Sequence, residues 1–191
     1  MEQLIEHIQN TTLLSIENKE LFFDRFIMKE FSKREQLLFS GNHSFDLYFV
    51  EKGCLRTFVT DYNGVEHNIS FSIENWWAGD LQSFLNKESA VYSIQALENT
   101  TVLAINKTNW DYLVEKVPAF LGYTRVLFRN HIFSQQNRIS QNLSFTAMER
   151  YDYFQQNYPD QFQRISQKHL ASYLGITPEF LSMLRKKKMR K

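Results

Sequence analysis

The hydrophobic period changes once along this chain, and the change limits the folds open to it. Between Phe31 and Ile105 the apolar residues fall in short runs rich in β-branched and aromatic side chains: Leu37–Phe39, Leu47–Val50, Leu55–Thr60, Glu66–Ile73, Val91–Leu97 and Val102–Ile105. Turn-forming stretches separate them, at Ser40-Gly41-Asn42, Glu51-Lys52-Gly53 and Asp61-Tyr62-Asn63-Gly64. Asn63-Gly64 between two such runs predicts a hairpin with a type I′ turn, because both residues tolerate a positive φ. Short strands in this number, with few helices between them, predict a barrel or a double-sheet roll.

Outside that stretch the period is helical. Residues 1–30 read as helices: Leu4, Ile5 and Ile8 share a face, and Ser15 stands where an N-cap to a helix Ile16–Phe26 would sit. From Asn109 onward the helical period returns. Leu121, Phe128, Ile132, Ile139 and Leu143 are spaced by 7, 4, 7 and 4 residues, which keeps them on one stripe. Phe120, Tyr123, Val126, Leu127 and Phe133 widen the apolar surface of the first half, so that half can pack on the roll while the stripe meets another helix. Arg125, Gln135 and Arg138 interrupt a strict heptad. Ala147–Gln156 predicts a further helix ending before Pro159.

The last segment has the grammar of two helices joined by a tight turn. Ser166 is placed to cap the first, Leu170 and Leu174 to face a core, and Ala171 to let two helices approach closely. Gly175 can take the left-handed conformation that ends a helix. Thr177 then caps the second helix, with Pro178 at its first position, where no intrahelical N–H is lost. Leu181 and Leu184 turn inward, leaving Pro178, Glu179, Ser182, Met183 and Lys186 on the outward face, where a recognition helix carries base contacts.

Charge supports the same end of the chain. The formal net charge is +1, but residues 164–191 hold eight Lys or Arg against Glu179 alone, while residues 1–163 hold 14 basic and 20 acidic residues. An acidic body with a basic end points to a polyanion. The candidate DNA-binding residues are Ser166, Gln167, Lys168, Thr177, Pro178, Glu179, Ser182, Met183, Arg185 and Lys186, with Lys187, Lys188, Arg190 and Lys191 adding charge.

Several classes are disfavoured. Apolar residues make up 43% and aromatics 15% of the chain, which excludes global disorder. No run approaches the ~20 apolar residues of a membrane helix. The N-terminus carries two Glu and no basic n-region, and Cys54 is the single cysteine, so a cytoplasmic protein without an internal disulfide is expected. A cupin-like metal enzyme would gather two or three His and a carboxylate, yet only His43 and His67 lie among the strands, without an H-x-H pair. Haem ligation by His43, His67 or Cys54 is the weaker option beside structural roles for them. No Ser-His-Asp, P-loop or GxGxxG arrangement is present.

Three stretches carry a family resemblance over nearly the whole chain: Leu47-Tyr-Phe-Val-Glu-Lys-Gly-Cys-Leu-Arg56; Gly79-Asp80-Leu81 followed by Ser93-Ile-Gln-Ala-Leu97; and the final helix pair. Together they resemble the CRP/FNR transcription regulators, and most of all the short members found in Bacteroidetes-type bacteria. The resemblance implies an α+β protein. A cyclic-nucleotide-binding-like β-roll with N-terminal helices would occupy residues 1–115, a dimerisation helix 116–143 and a helix-turn-helix 144–191. It also implies a homodimer touching through Leu121, Phe128, Ile132 and Ile139, double-stranded DNA as partner, and RNA polymerase as a further partner.

The sequence departs from the family pattern at both ends. The ligand pocket of the family would fall on Gly79, Asp80, Leu81, Ala90 and Val91. The last two replace the Arg-Ser pair that holds the cyclic phosphate, so cAMP and cGMP are disfavoured and any effector is of another kind. An iron–sulfur sensor needs several cysteines, and Cys54 stands alone. The base-reading Arg-Glu pair and the later Arg fall on Pro178, Glu179 and Met183, leaving only the Glu. The sequence stops at Lys191, where many relatives add a wing. These departures keep open a degenerate sensor with a protein partner and no specific operator.

Overall fold

The computed structural model describes residues 1–12, 19–43 and 46–189. Helix α1 (Glu2–Thr12) and the short α2 (Glu20–Phe23) precede eight strands: β1 (Ile27–Phe31), β2 (Gln36–Leu38), β3 (Asp46–Lys52), β4 (Leu55–Thr60), β5 (Glu66–Ser72), β6 (Trp77–Ala78), β7 (Ser93–Ala96) and β8 (Thr100–Asn106). Helix α3 (Leu81–Asn86) lies between β6 and β7. The chain then runs through α4 (Lys107–Lys116), the long α5 (Pro118–Ser144), α6 (Ala147–Asn157), α7 (Pro159–Arg164), α8 (Gln167–Leu174) and α9 (Pro178–Met189).

The strands form two antiparallel four-stranded sheets, ordered β1-β8-β3-β6 and β2-β7-β4-β5. The alternation of side chains along a strand explains the layers. Tyr48 and Val50 of β3, with Val102 and Ala104 of β8, point between the sheets to meet Leu38, Leu55, Ile94 and Ala96. Leu47, Phe49, Leu103 and Ile105 point to the other face, where α1, α2, α4 and the start of α5 cover them with Leu4, Ile8, Phe22, Trp110 and Phe120. Because this sheet is buried on both faces, its central strands read as continuous apolar runs. The roll and the helical second half agree with the expected α+β architecture.

Three local expectations change. The Asn63-Gly64 hairpin forms, but not with a type I′ turn: positive φ occurs at Gly64 and not at Asn63. The Asp61 carboxylate accepts from the amides of Asn63 (2.9 Å) and Val65 (3.0 Å), and the Asp61 carbonyl accepts from Gly64 N–H. This Asx-braced three-residue loop offers Asn63 hydrogen bonding at negative φ, which removes the need for the primed turn. Residues 27–30, read as part of the helical region, join Phe31 in the edge strand β1; Ile27-Met-Lys-Glu-Phe shows no clear alternation, and pairing along β8 decides its conformation. The start of the helix expected at Ser15 and Ile16 lies outside the described residues, and its described part ends at Phe23, so Phe26 enters the core from the connection to β1. No helix among the described residues is long and apolar enough to cross a membrane.

Candidate nucleic-acid interface and its attachment to the roll

The final helix pair forms with the expected caps. Ser166 Oγ accepts from His169 N–H (3.3 Å) at the start of α8, and Gly175 ends it at φ 68°. Thr177 Oγ1 accepts from Phe180 N–H (3.2 Å) at the start of α9, with Pro178 as its first residue. Ala171 and Leu181 are fully buried and pack with Leu170, Leu174, Tyr151, Phe154 and Ile165 in one small core. That packing fixes the orientation of α9. Pro178, Glu179, Met183 and Lys186 face solvent, and Ser182 and Arg185 are half-buried; on α8, Gln167 and Lys168 are exposed beside the cap Ser166. Phe180, which the helical wheel left off the outward face, is 38% exposed.

Lys188 departs from the expected phosphate-facing cluster. Its Nζ donates to Asp152 Oδ1 (2.5 Å) and Gln155 Oε1 (2.8 Å) on α6, and it lies 5.3 Å from the centroid of the Tyr151 ring. The charge is matched within the domain although the side chain stays exposed, as Lys186 and Lys187 are. Arg190 and Lys191 lie outside the described residues.

The α8–α9 unit is fastened to the roll by polar groups that no periodicity reveals. Ser172 Oγ accepts from Asn68 N–H (3.0 Å) and donates to the Glu66 carbonyl (2.9 Å). Asn68 Nδ2 donates to the His169 carbonyl (3.0 Å), and Asn68 Oδ1 accepts from the buried Arg56, which also pairs with Glu66 (2.7 Å). Arg138 of α5 reaches three backbone carbonyls at once: Ile69, Asn68 (2.9 Å) and Tyr173 (3.3 Å). Its guanidinium also lies 4.1 Å from the Tyr173 ring centroid. One side chain thereby joins the long helix, strand β5 and helix α8.

At the other side of the junction, Arg164 pairs with Glu74 (2.6 and 3.1 Å) and with Glu98. Burial raises the Glu74 pKa, but the Arg164 hydrogen bonds and the Gly53 amide outweigh it and hold the carboxyl at about 2. Its contribution to stability is therefore complete above the usual carboxylate range and is lost as pH falls towards 2. The cleft between these elements, lined by Phe71, Trp76, Arg138, Tyr158, Gln161 and Tyr173, measures about 40 Å³. That holds a few waters rather than a nucleotide.

The residues placed at the family's ligand pocket are engaged in the roll itself. Asp80 is 2% exposed, and its carboxylate accepts from the amides of Ser83 (3.0 Å), Val91 (2.7 Å) and Tyr92 (3.1 Å). It caps α3 and staples the strand approach after it. A Cβ on Gly79 would lie 2.3 Å from Leu47 Cδ2, so the Leu47 side chain fills the space beside Gly79. Leu81 is half-buried, Ala90 is buried and bonded through its backbone to Gly41 and Asn42, and Val91 is 47% exposed. Burial pushes the Cys54 thiol up to about 12, which disfavours thiolate ligation. His67 pairs with Asp61 at 2.9 Å. Among the described residues no group of three or more His, Cys, Asp or Glu side chains is placed to hold a metal ion.

The stripe on α5 divides. Leu121 and Phe128 are half-buried, and Phe128 packs against Trp110 of the same chain at 6.1 Å between ring centroids. Ile132 and Ile139 are 54% and 59% exposed, and Leu143 is 84% exposed. The first half belongs to the core of the chain, and the second half is an apolar surface.

Residues 28–117 match the family model described as the cyclic nucleotide-binding domain. Those residues run from β1 through α4, so the match covers the strands of the roll. Over nearly its full length the chain has the fold of the CRP/FNR transcription regulators. CLP of Xanthomonas campestris, described as a c-di-GMP responsive global regulator, is 14% identical with a TM-score of 0.75, over 90% of both chains. A CooA mutant from Carboxydothermus hydrogenoformans is 19% identical, with a TM-score of 0.74 over 97% of this chain and 84% of that one. FixK2 from Bradyrhizobium japonicum is 15% identical, with a TM-score of 0.72 over 85% of this chain and 83% of that one. No curated protein matches the sequence.

Proposed function

We propose that this chain is a dimeric, signal-responsive DNA-binding transcription regulator. The roll (residues 1–115) senses, the helix within 116–143 dimerises, and residues 144–191 bind DNA and work with RNA polymerase. The observation that carries this reading is the α8–α9 pair. A buried face fixes the two helices, and the opposite face of α9 presents Glu179, Ser182, Met183 and Lys186 beside further cations. Selection of bound duplexes from a random pool, followed by titration at several salt concentrations, tests it. We expect a palindrome with half-sites about one helical turn apart, or a multiple of it. Lys186→Ala should weaken all sequences about equally and lower the salt slope by roughly 0.9. Glu179→Ala should relax preference at one position per half-site by ~1–3 kcal/mol with little change in slope. Binding that shows no sequence preference and vanishes at physiological salt would overturn the reading.

The effector in this proposal is not cAMP or cGMP. Asp80 already accepts three backbone amides, and Ala90 and Val91 offer no guanidinium to a cyclic phosphate. An enclosed phosphate lacking that partner forgoes a charge-assisted hydrogen bond worth about 1.5–3 kcal/mol. Calorimetry with either nucleotide at about 100 µM, on the order of a usual effector concentration, should give no binding heat. A dissociation constant below that would show that another cation completes the site.

A further inference from the structure

The outward face of α9 carries an apolar side chain where a reader of guanine would need an arginine. Met183 is 58% exposed near the middle of that face, and Phe180, one turn back at its edge, is 38% exposed. Neither side chain belongs to the small core, to which α9 contributes Leu181. Around them the surface is cationic, with Lys186 and Lys187 exposed and Lys168 exposed on the neighbouring helix. An apolar group inside a basic rim matches a partner that is anionic outside and presents small apolar groups within. The major groove of DNA has this chemistry: phosphates line its edges, and the 5-methyl group of thymine is the apolar feature on its floor.

We infer that Met183, flanked by Phe180, reads thymine 5-methyl groups, so that each operator half-site carries at least one thymine facing the second turn of α9. This rests on the DNA-binding reading above and adds the base that the helix selects. The thioether suits the role, because an unbranched and polarizable side chain adapts to a methyl group without needing a hydrogen-bond partner. Glu179, one turn before Met183 on the same face, would accept from a cytosine amine, so the two contacts select different bases.

The test replaces thymidine by deoxyuridine, one position at a time, in the duplex recovered by selection from a random pool. The substitution removes a methyl group and leaves base pairing intact. At the position facing Met183 the full-length protein should bind the uridine duplex about fourfold more weakly, as expected for one apolar methyl no longer buried. Met183→Ala should bring the thymidine-to-uridine ratio at that position to about one, and Phe180→Ala should reduce it. Circular dichroism of both variants, whose side chains lie outside the small core, should match the parent chain. A recovered operator with ratios near one throughout, or a ratio unchanged by Met183→Ala, would overturn the inference and leave DNA binding standing. Failure to recover any preferred duplex would overturn the DNA-binding reading itself.

Discussion

Replacing Arg138 by methionine should release the helix-turn-helix from the roll while both remain folded. The guanidinium bonds to the carbonyls of Ile69, Asn68 and Tyr173, and among the described residues no carboxylate pairs with it. Hydrogen bonds from a charged donor contribute about 1.5–3 kcal/mol each, and carbonyls left buried without a donor add their own desolvation cost. Methionine keeps much of the aliphatic stem and removes all three bonds. Hydrogen exchange should show the effect directly: the Asn68 amide, bonded to Ser172 Oγ across the junction, should lose protection, whereas the Ile94 amide inside the roll should keep it. Calorimetric unfolding should separate into two transitions. A single unchanged transition with Asn68 still protected would mean that Phe71 and the Arg164–Glu74 pair hold the junction without Arg138.

Ile132→Glu should convert the proposed dimer to monomer. Ile132 and Ile139 are seven residues apart and more than half exposed in the single chain, on a helix of 27 residues. A two-fold partner would cover them, and a glutamate at position 132 would bury an unpaired carboxylate from each copy. An uncompensated buried charge costs about 3–5 kcal/mol, so the dissociation constant should rise by about a hundredfold or more. Sedimentation at micromolar concentration should give twice the chain mass for the parent protein and the chain mass for the variant. Ile132→Val should remain dimeric. A parent protein that sediments as a monomer would remove the symmetric pair of recognition helices from the proposed mechanism.

The parts of this protein that were legible in the sequence are those governed by short-range physics. Gly175, Thr177 and Pro178 act on the backbone within one turn of themselves, and the caps at Ser166 and Thr177 form as the local pattern dictates. The strand runs are visible because β3 and β8 are buried on both faces, while residues 27–30 of edge strand β1 lack that signature and read as part of the helical region. Asp80 shows the limit of motif reading: resemblance places it at a ligand pocket, and the fold gives its carboxylate to three amides of its own roll. Lys188 shows the limit of counting charge, since Asp152 sits 36 positions away and is brought beside it by the packing of α6 against α9.

By itself the sequence determined the order of sheet and helix, the turn that joins α8 to α9, the buried side of each and the charge of the terminal segment. Those follow from period, capping and composition, which act over a few residues. Tertiary structure alone decided that Arg138 binds carbonyls 69 and 70 positions earlier in the chain, that Arg164 holds Glu74 and Glu98, and that Phe128 belongs to the core while Ile132 stays exposed. A backbone carbonyl is present at every residue and carries no mark in the sequence. Which one meets a given guanidinium is settled only when distant elements have packed.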